Sequence, residues 1–102
     1  MRTFNEFGRA FKEVRLAKKL TQEDFANHSG RTYLSEIERG VKHPTLRKID
    51  ELSEPLGVHP LTPLVMAYLL DADELALDDL LGRVRCQVLE VLRSTHPRDQ
   101  VP

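Results

Sequence analysis

The sequence predicts an all-α protein in which a compact N-terminal domain is followed by an amphipathic helix. Apolar residues recur at helical intervals along most of the 102 residues, whereas the alternation of apolar and polar residues that marks a strand is nearly absent. Capping residues and glycines divide these apolar stripes into separate helices. Hydrophobic residues make up 40% and charged residues 30% of the chain, which is typical of a folded globular protein and not of a disordered one.

Two helices are predicted in the N-terminal third of the chain. The first runs from about Thr3 to Lys19. Thr21 is a suitable N-cap for the second, since its hydroxyl oxygen can accept a hydrogen bond from a backbone amide of the first turn. Residues 27–30, Asn-His-Ser-Gly, are typical of a tight turn. The apolar stripe of the first helix consists of Phe4, Phe7, Phe11, Val14 and Leu20.

A short third helix is predicted from about Arg31 to Arg39. Leu34 and Ile37 form its apolar stripe, and Gly40 follows where a left-handed C-cap is required. One face of this helix is therefore expected to be buried, while the opposite face carries polar side chains.

The fourth helix is predicted to begin after Thr45, a second N-cap, and to end before Gly57. Pro55 is expected to end or kink this helix near Ser53, because proline lacks a backbone donor and restricts the residue before it. The apolar stripe consists of Leu46, Ile49, Leu52 and Leu56.

Two further helices complete the prediction. Thr62 and Pro63 are expected to begin a short apolar helix as its N-cap and first helical position. A long amphipathic helix then covers about Glu74 to Arg93. We expect residues 1–64 to form the folded domain, and residues 65–102 to form an oligomerisation segment that ends in a frayed tail.

Apolar residues of the last helix alternate in steps of three and four, which is the spacing of packed helix pairs. This face either folds back onto the N-terminal domain or forms a homodimer interface, and the homodimer is the interpretation that we favour. The sequence does not distinguish a dimer from a tetramer. The expected dimerisation residues are Leu77, Leu80, Leu81, Val84, Val88, Val91 and Leu92.

The stretch from Leu20 to Gly40 carries the strongest functional signal. It begins Leu-Thr-Gln-Glu-Asp-Phe-Ala and ends Tyr-Leu-Ser-Glu-Ile-Glu-Arg-Gly. This pattern resembles the helix-turn-helix of the Cro/C1-type, or XRE, repressor family, and the resemblance covers about residues 4–64. It implies a lambda-repressor-like domain of five helices and a bacterial-type transcriptional regulator that binds double-stranded DNA.

The resemblance also implies roles for individual residues. Gln22 corresponds to a phosphate contact at a helix N-terminus, and Arg31 and Thr32 correspond to contacts with base edges. Glu38 is expected to be structural, as a partner of Arg15 or of a backbone amide. The expected DNA-binding residues are Gln22, Arg31, Thr32, Tyr33, Ser35, Glu36, Arg39 and Lys42.

The turn departs from the family pattern. Only three residues separate Gly30 from Leu34, whereas about six separate the corresponding pair in most members that the sequence resembles. The shortened spacing predicts either a shorter turn or a shorter start of the third helix. Both alternatives affect how Arg31 and Thr32 are directed.

Other classes of function find little support in the sequence. The histidines are scattered and the chain has a single cysteine, Cys86, so the sequence predicts no metal site, no cofactor and no catalytic residue. Cys86 is interpreted as a small apolar filler. The longest apolar run, residues 63–70, is shorter than the roughly 20 residues of a membrane span. No signal peptide is expected, because charged residues interrupt the start. The sequence therefore predicts a cytoplasmic protein without a membrane partner.

Charge is unevenly distributed along the chain. Residues 1–60 hold 11 Lys/Arg and 9 Asp/Glu, whereas residues 61–102 hold 4 and 7, and the net charge is −1. This contrast permits DNA binding by the first half. The leading hypothesis is a homodimer that occupies a pseudo-palindromic operator. The alternative is a protein-interaction module, such as an antitoxin or an anti-activator that sequesters a regulatory protein partner.

Overall fold

The computed structural model describes residues 2–25 and 30–95, with side chains at residues 6–25, 30 and 32–95. Helices and turns account for the regular structure of these residues, and no strand occurs among them. The all-α prediction is therefore confirmed. The chain divides into two compact units, Met1–Leu70 and Asp71–Pro102.

Six helical elements follow one another along the described chain. The first unit contains five of them, as predicted, and the second unit contains one. The predicted boundary after residue 64 falls inside the last helix of the first unit. The elements are α1 (Arg2–Ala17), a 3₁₀ helix (Gln22–Phe25), α2 (Arg31–Glu38), α3 (Leu46–Leu56), α4 (Leu61–Leu69) and α5 (Glu74–Thr95).

The second element is a four-residue 3₁₀ helix where the sequence favoured an α-helix. Thr21 caps it as predicted, since its hydroxyl oxygen accepts from the Asp24 amide at 3.3 Å. The Asp24 carboxylate accepts from the Thr21 amide at 2.7 Å in return. These reciprocal bonds close one tight turn, the setting in which 3₁₀ geometry is common. The predicted turn at residues 27–29 lies outside the described residues.

The helices on either side of residues 39–45 end and begin as their capping residues predict. Gly40 has a φ of 79°, and its amide donates to the Ile37 carbonyl at 3.0 Å. The Val41 amide donates to the Glu36 carbonyl at 2.8 Å, which completes a Schellman motif. At the start of α3, Thr45 accepts from the Lys48 amide at 3.1 Å. The length of α2 is therefore set by local hydrogen bonds.

Two predicted helix boundaries are wrong, the end near Ser53 and the start at Pro63. Helix α3 continues through Pro55 to Leu56 and ends before Gly57, whose φ is 71°. Pro55 lacks a donor, but the Gly57 and Val58 amides donate to the Glu54 and Ser53 carbonyls, so the last turn is still closed by hydrogen bonds. Helix α4 begins at Leu61 and not at Pro63, because the His59 ring Nδ1 accepts from the Leu61 amide at 3.0 Å. Thr62 is therefore not the N-cap.

The core of the first unit contains one cluster of apolar side chains from every element. Aromatic rings link the first two elements. The centre of the Phe11 ring lies 5.8 Å from the centre of the Phe25 ring, in an edge-to-face arrangement, and 6.1 Å from the centre of the Phe7 ring. Most of the residues predicted to face inward lie in or against this core. Leu46 is an exception, since it begins α3 and is 77% exposed, and the Phe4 side chain lies outside the described part. The buried apolar residues are Phe7, Ala10, Phe11, Val14, Phe25, Leu34, Ile37, Ile49, Leu52, Leu56 and Ala67.

Gly8 permits a close approach between α1 and the end of α2. A Cβ atom at this buried position would lie 2.0 Å from the Ile37 carbonyl oxygen, a distance that real Cβ contacts do not show. The neighbour is backbone and cannot rotate away. Glycine at this position therefore determines how closely α2 is held against α1.

Helix α5 begins with a side-chain cap and carries no buried residue along its described length. The Asp73 carboxylate accepts from the Ala76 amide at 3.0 Å and so caps the helix. Cys86 is exposed. Its interpretation as an apolar filler is therefore wrong, because it lies away from the apolar face of the helix.

Gly8→Ala is expected to lower the free energy of unfolding by about 1–3 kcal/mol, because the new methyl group requires α1 and α2 to separate. Urea unfolding followed by far-ultraviolet circular dichroism measures the change. Gly82→Ala is the matched control, since nothing lies within 4 Å of a Cβ built at that helical glycine. The control should stabilise α5 by up to about 1 kcal/mol. Equal midpoints for Gly8→Ala and wild type would contradict the close approach.

Candidate nucleic-acid interface

Helix α2 presents one polar face and buries the other. Leu34 and Ile37 are 0% and 1% exposed. Residues spaced by three and four positions share a helix face, and the opposite face consists of residues that are exposed or half-buried: Thr32, Ser35, Glu36 and Arg39. The polar face and the apolar stripe predicted for this helix are confirmed. Arg31 begins α2, and its side chain lies outside the described part.

A buried ion pair fixes α2 to α1. Arg15 Nε donates to Glu38 Oε2 at 2.7 Å, and Arg15 Nη2 donates to Glu38 Oε1 at 3.0 Å. Their side chains are 8% and 3% exposed. The third arm of the guanidinium, Nη1, donates to the Leu20 carbonyl at 2.8 Å. The predicted partnership of Arg15 and Glu38 is confirmed, and both groups have their hydrogen bonds satisfied.

Gln22 lies beside this ion pair. Its side-chain amide donates to Glu38 Oε1 at 3.0 Å. The contact places the 3₁₀ helix next to α2, on the flank of the polar face nearer to Ser35. Gln22 therefore joins three elements, and its carbonyl oxygen is not used in this bond.

Tyr33 and two lysines form the opposite flank of the polar face. The Lys42 ammonium lies 5.7 Å and the Lys48 ammonium 5.5 Å from the centre of the Tyr33 ring. Both distances are within the range of a cation–π interaction. The structure therefore brings together two predicted residues, Tyr33 and Lys42, and adds Lys48, which the sequence analysis missed.

Charges on α2 are arranged so that both of its acids have cationic partners. Glu36 Oε1 lies 3.4 Å from Lys42 Nζ, and Glu38 is held by Arg15. Arg39 Nε donates to Ser35 Oγ at 3.3 Å, which directs the guanidinium along the polar face. Residues 31–48 contain five Lys/Arg and two Glu. This segment is therefore positive although the whole chain is not.

Six of the predicted interface residues lie on the polar face of α2 or on one flank of it. Thr32, Ser35, Glu36 and Arg39 share the polar face, and Tyr33 and Lys42 lie on one flank of it. Lys48 was missed because it lies on α3, and the cap at Thr45 predicts where that helix begins but not that it packs beside Tyr33. No signal in the sequence marks Gly8.

Other kinds of site are not found in the described residues. They contain no group of three His, Cys, Asp or Glu that could hold a metal ion. None of the helices among them is long and apolar enough to cross a membrane.

A short helix docked by its apolar side, with a polar outer face and cationic flanks, defines a helix-turn-helix DNA-binding protein. The helix-turn-helix family profile matches residues 11–62, from α1 to the start of α4. The chain belongs to this family, in its Cro/C1-type or XRE branch, and the resemblance found in the sequence is confirmed. Members of the family regulate transcription and are not enzymes, so the prediction of no catalytic function is confirmed as well.

Curated relatives and a solved structure agree with this membership. Control protein C.BamHI of Bacillus amyloliquefaciens is 40% identical over 57 residues, covering 53% of this chain and 70% of that protein. The HTH-type transcriptional regulator y4dJ of Sinorhizobium fredii is 43% identical over 53 residues, covering 50% and 69%. The clp gene regulator ClgR of Corynebacterium glutamicum matches with a TM-score of 0.60 and 26% identity, over 93% of this chain and 95% of ClgR.

Glu38→Gln is expected to lower the free energy of unfolding by about 3–5 kcal/mol, because it leaves the buried Arg15 without a counter-charge. Glu13→Gln is the matched control. It removes the exposed pair of Glu13 with Arg9, whose atoms are 3.5 Å apart, and should change stability by less than about 1 kcal/mol. Thermal and urea unfolding measure both variants, and a similar effect of the two would show that the buried pair contributes no more than the surface pair.

Proposed function

We propose that this protein is a sequence-specific transcriptional regulator that occupies a pseudo-palindromic operator as a homodimer in the cytoplasm. The observation that carries the proposal is the polar face of α2, which lies between Gln22 on one flank and the pair Lys42 and Lys48 on the other. An α-helix fits the major groove, whose two edges are lined by phosphates. A polar face with cationic or hydrogen-bonding flanks is suited to that environment.

Base recognition falls to the exposed residues of the polar face. The Thr32 methyl group suits a thymine methyl, and Ser35 can donate or accept. The Glu36 carboxylate suits a cytosine amino group, and its pairing with Lys42 in the free protein reduces its repulsion of phosphates. Arg31 stands at the N-terminal end of α2, where guanidinium contacts with guanine are common in this fold class.

Backbone contacts fall to the two flanks. Lys42 and Lys48 both lie against the Tyr33 ring. In the free protein each also pairs with a carboxylate, Lys42 with Glu36 at 3.4 Å and Lys48 with Glu51 at 3.0 Å. Partly exposed pairs of this kind are weak, so a DNA phosphate can compete for either ammonium group. Gln22 has a free amide oxygen and a backbone amide at the start of the 3₁₀ helix. Contacts of this kind position the protein on the duplex and carry no sequence information themselves.

Dimerisation supplies the affinity that one eight-residue helix cannot. A twofold dimer places two recognition helices one DNA turn apart, about 34 Å, and makes the second contact intramolecular. Five apolar side chains of α5 that are at least 44% exposed support this proposal: Leu81, Val84, Val88, Val91 and Leu92. Leu77 and Leu80 complete the proposed interface on the same helix.

Replacing Thr32 and Ser35 by alanine tests base recognition, since neither residue contributes to the buried core. The double variant is expected to keep nonspecific DNA binding and to lose about 10- to 100-fold of its preference for its selected site, as about 1–3 kcal/mol is associated with each good base contact. Selection of genomic fragments by wild-type protein provides the site, and competition binding measures the preference. An unchanged preference would show that α2 does not read bases.

Lys48→Ala is expected to weaken binding to every sequence alike and to reduce the slope of log K against log salt by about 0.9, because one phosphate contact is lost. Arg93→Ala, with the same charge change in the other unit, is the control and should leave the slope unchanged.

Equal slopes for Lys48→Ala and Arg93→Ala would remove Lys48 from the interface. Stable copurification of the wild type with a second protein, together with no retardation of any DNA fragment, would favour the antitoxin or anti-activator alternative over DNA binding.

A further inference from the structure

Charged residues divide α5 into two halves of opposite sign. Its first half carries three acids and one arginine, and its second half carries two arginines and the single Glu90. The apolar seam runs through both halves; Leu77 is half-buried, and the seam residues from Leu81 to Val91 are exposed. The acids are Glu74, Asp78 and Asp79, and the arginines are Arg83, Arg85 and Arg93.

From this polarity we infer that α5 binds the α5 of a second copy of this chain in antiparallel orientation, in one register. The inference rests on the proposed homodimer and adds its direction and residue pairing. An antiparallel pair brings the acidic half of each helix against the basic half of its partner. A parallel pair instead sets the acidic half beside the acidic half and offers no acid–arginine contact along the seam.

Leucine and valine alternate across the pair in this register. With Leu81 opposite the partner's Val84, Leu77 lies opposite the partner's Val88, and the twofold axis repeats both layers. Every one of these four layers contains one leucine and one valine, so the distance between the helices stays constant. The four central layers of the seam are thus filled evenly by a second copy of the same helix, while Val91 lies opposite the partner's Glu74 at each end.

Asp78 and Arg85 select the register. Each follows a seam residue by one position, and they are seven residues apart, so they lie on the same edge of the seam. In the antiparallel pair that edge meets the same edge of the partner, which places Asp78 beside the partner's Arg85 twice. A shift by seven residues in one direction would place Asp78 beside the partner's Asp78. A shift in the other direction would place Arg85 beside the partner's Arg85.

Parallel orientation offers no such pairing. There Asp78 would lie beside the partner's Asp73, and Arg85 would lie beside the partner's Leu80. The alternatives are thus three antiparallel registers and one parallel pair. Among these four arrangements, the antiparallel register with leucine opposite valine is the one that brings Asp78 and Arg85 together.

Reciprocal charge reversal in the full-length protein tests the pairing. Asp78→Arg alone and Arg85→Asp alone are each expected to raise the dimer dissociation constant about tenfold at low salt, because two attractive pairs become repulsive. Mixing the two variants should restore a dimer within about threefold of wild type, since every pair in the heterodimer is then opposite in charge. Analytical ultracentrifugation measures the three constants.

Asp79→Arg and Arg83→Asp are the matched controls. They carry the same changes of charge on α5, in a pair 3.7 Å apart that lies off the seam, and should each leave the dissociation constant within about threefold of wild type. Weakening by both single reversals without restoration in the mixture would overturn the antiparallel register. A wild-type protein that is monomeric at all concentrations would overturn it as well.

A distance measurement gives an independent readout of direction. The labelled protein carries Cys86→Ser and Ser94→Cys, so that each copy has one spin label at residue 94. In the antiparallel register residue 94 lies opposite residue 71 of the partner, which is 23 residues from the partner's own label. At about 1.5 Å per residue, the two labels should lie at least about 35 Å apart. A separation under about 20 Å would show a parallel pair. Operator binding that persists in such a parallel dimer would leave the proposed function standing while this inference failed.

Discussion

The geometry of the interface depends on the buried pair of Arg15 and Glu38. Two short hydrogen bonds join α1 to α2, while the remaining donors and acceptors of the pair contact the Leu20 carbonyl and Gln22. Such a pair adds little net stability compared with apolar residues, yet it is costly to break. The hydrogen bonds of the Arg15–Glu38 pair can be satisfied in only one arrangement, and the pair therefore specifies where α2 lies against α1. Gly8, in contact with the same end of α2, specifies how closely α2 approaches.

Much of this arrangement is encoded locally and was therefore predictable. Caps form at Thr21, Thr45, Gly40 and Gly57, as their side-chain or backbone preferences favour. The apolar stripes between them point inward except at Leu46, which is exposed at the start of α3. The boundary at Leu61 was missed because it depends on a histidine ring that accepts a backbone hydrogen bond, and histidine has little recognised preference for that role. Local chemistry thus sets the helices and their ends.

Interface residues are less predictable because they depend on packing between elements. Lys48 belongs to α3 and reaches Tyr33 of α2 only through the tertiary fold, so no spacing in the sequence links them. Gln22 was assigned by resemblance to phosphate contact, but in the free protein its amide is bound to Glu38. A residue with a structural bond can still offer its other atoms to DNA. Resemblance assigned positions on and beside α2, and these assignments stay predictions, whereas the hydrogen bonds that each side chain makes within the fold could be found only from the structure.

The direction of the α5 pair bears on how two recognition helices reach one operator. In the antiparallel register, the first residue of α5 lies opposite residue 91 of the partner, 17 residues along the helix, so the two starts are separated by about 26 Å at 1.5 Å per residue. The N-terminal units are joined to those starts. A parallel pair would join both units at one end, within about 10 Å of each other, the interaxial distance of packed helices. Separation of the α5 starts by about 26 Å is closer to the roughly 34 Å between successive major grooves, and this supports the antiparallel direction for the proposed homodimer.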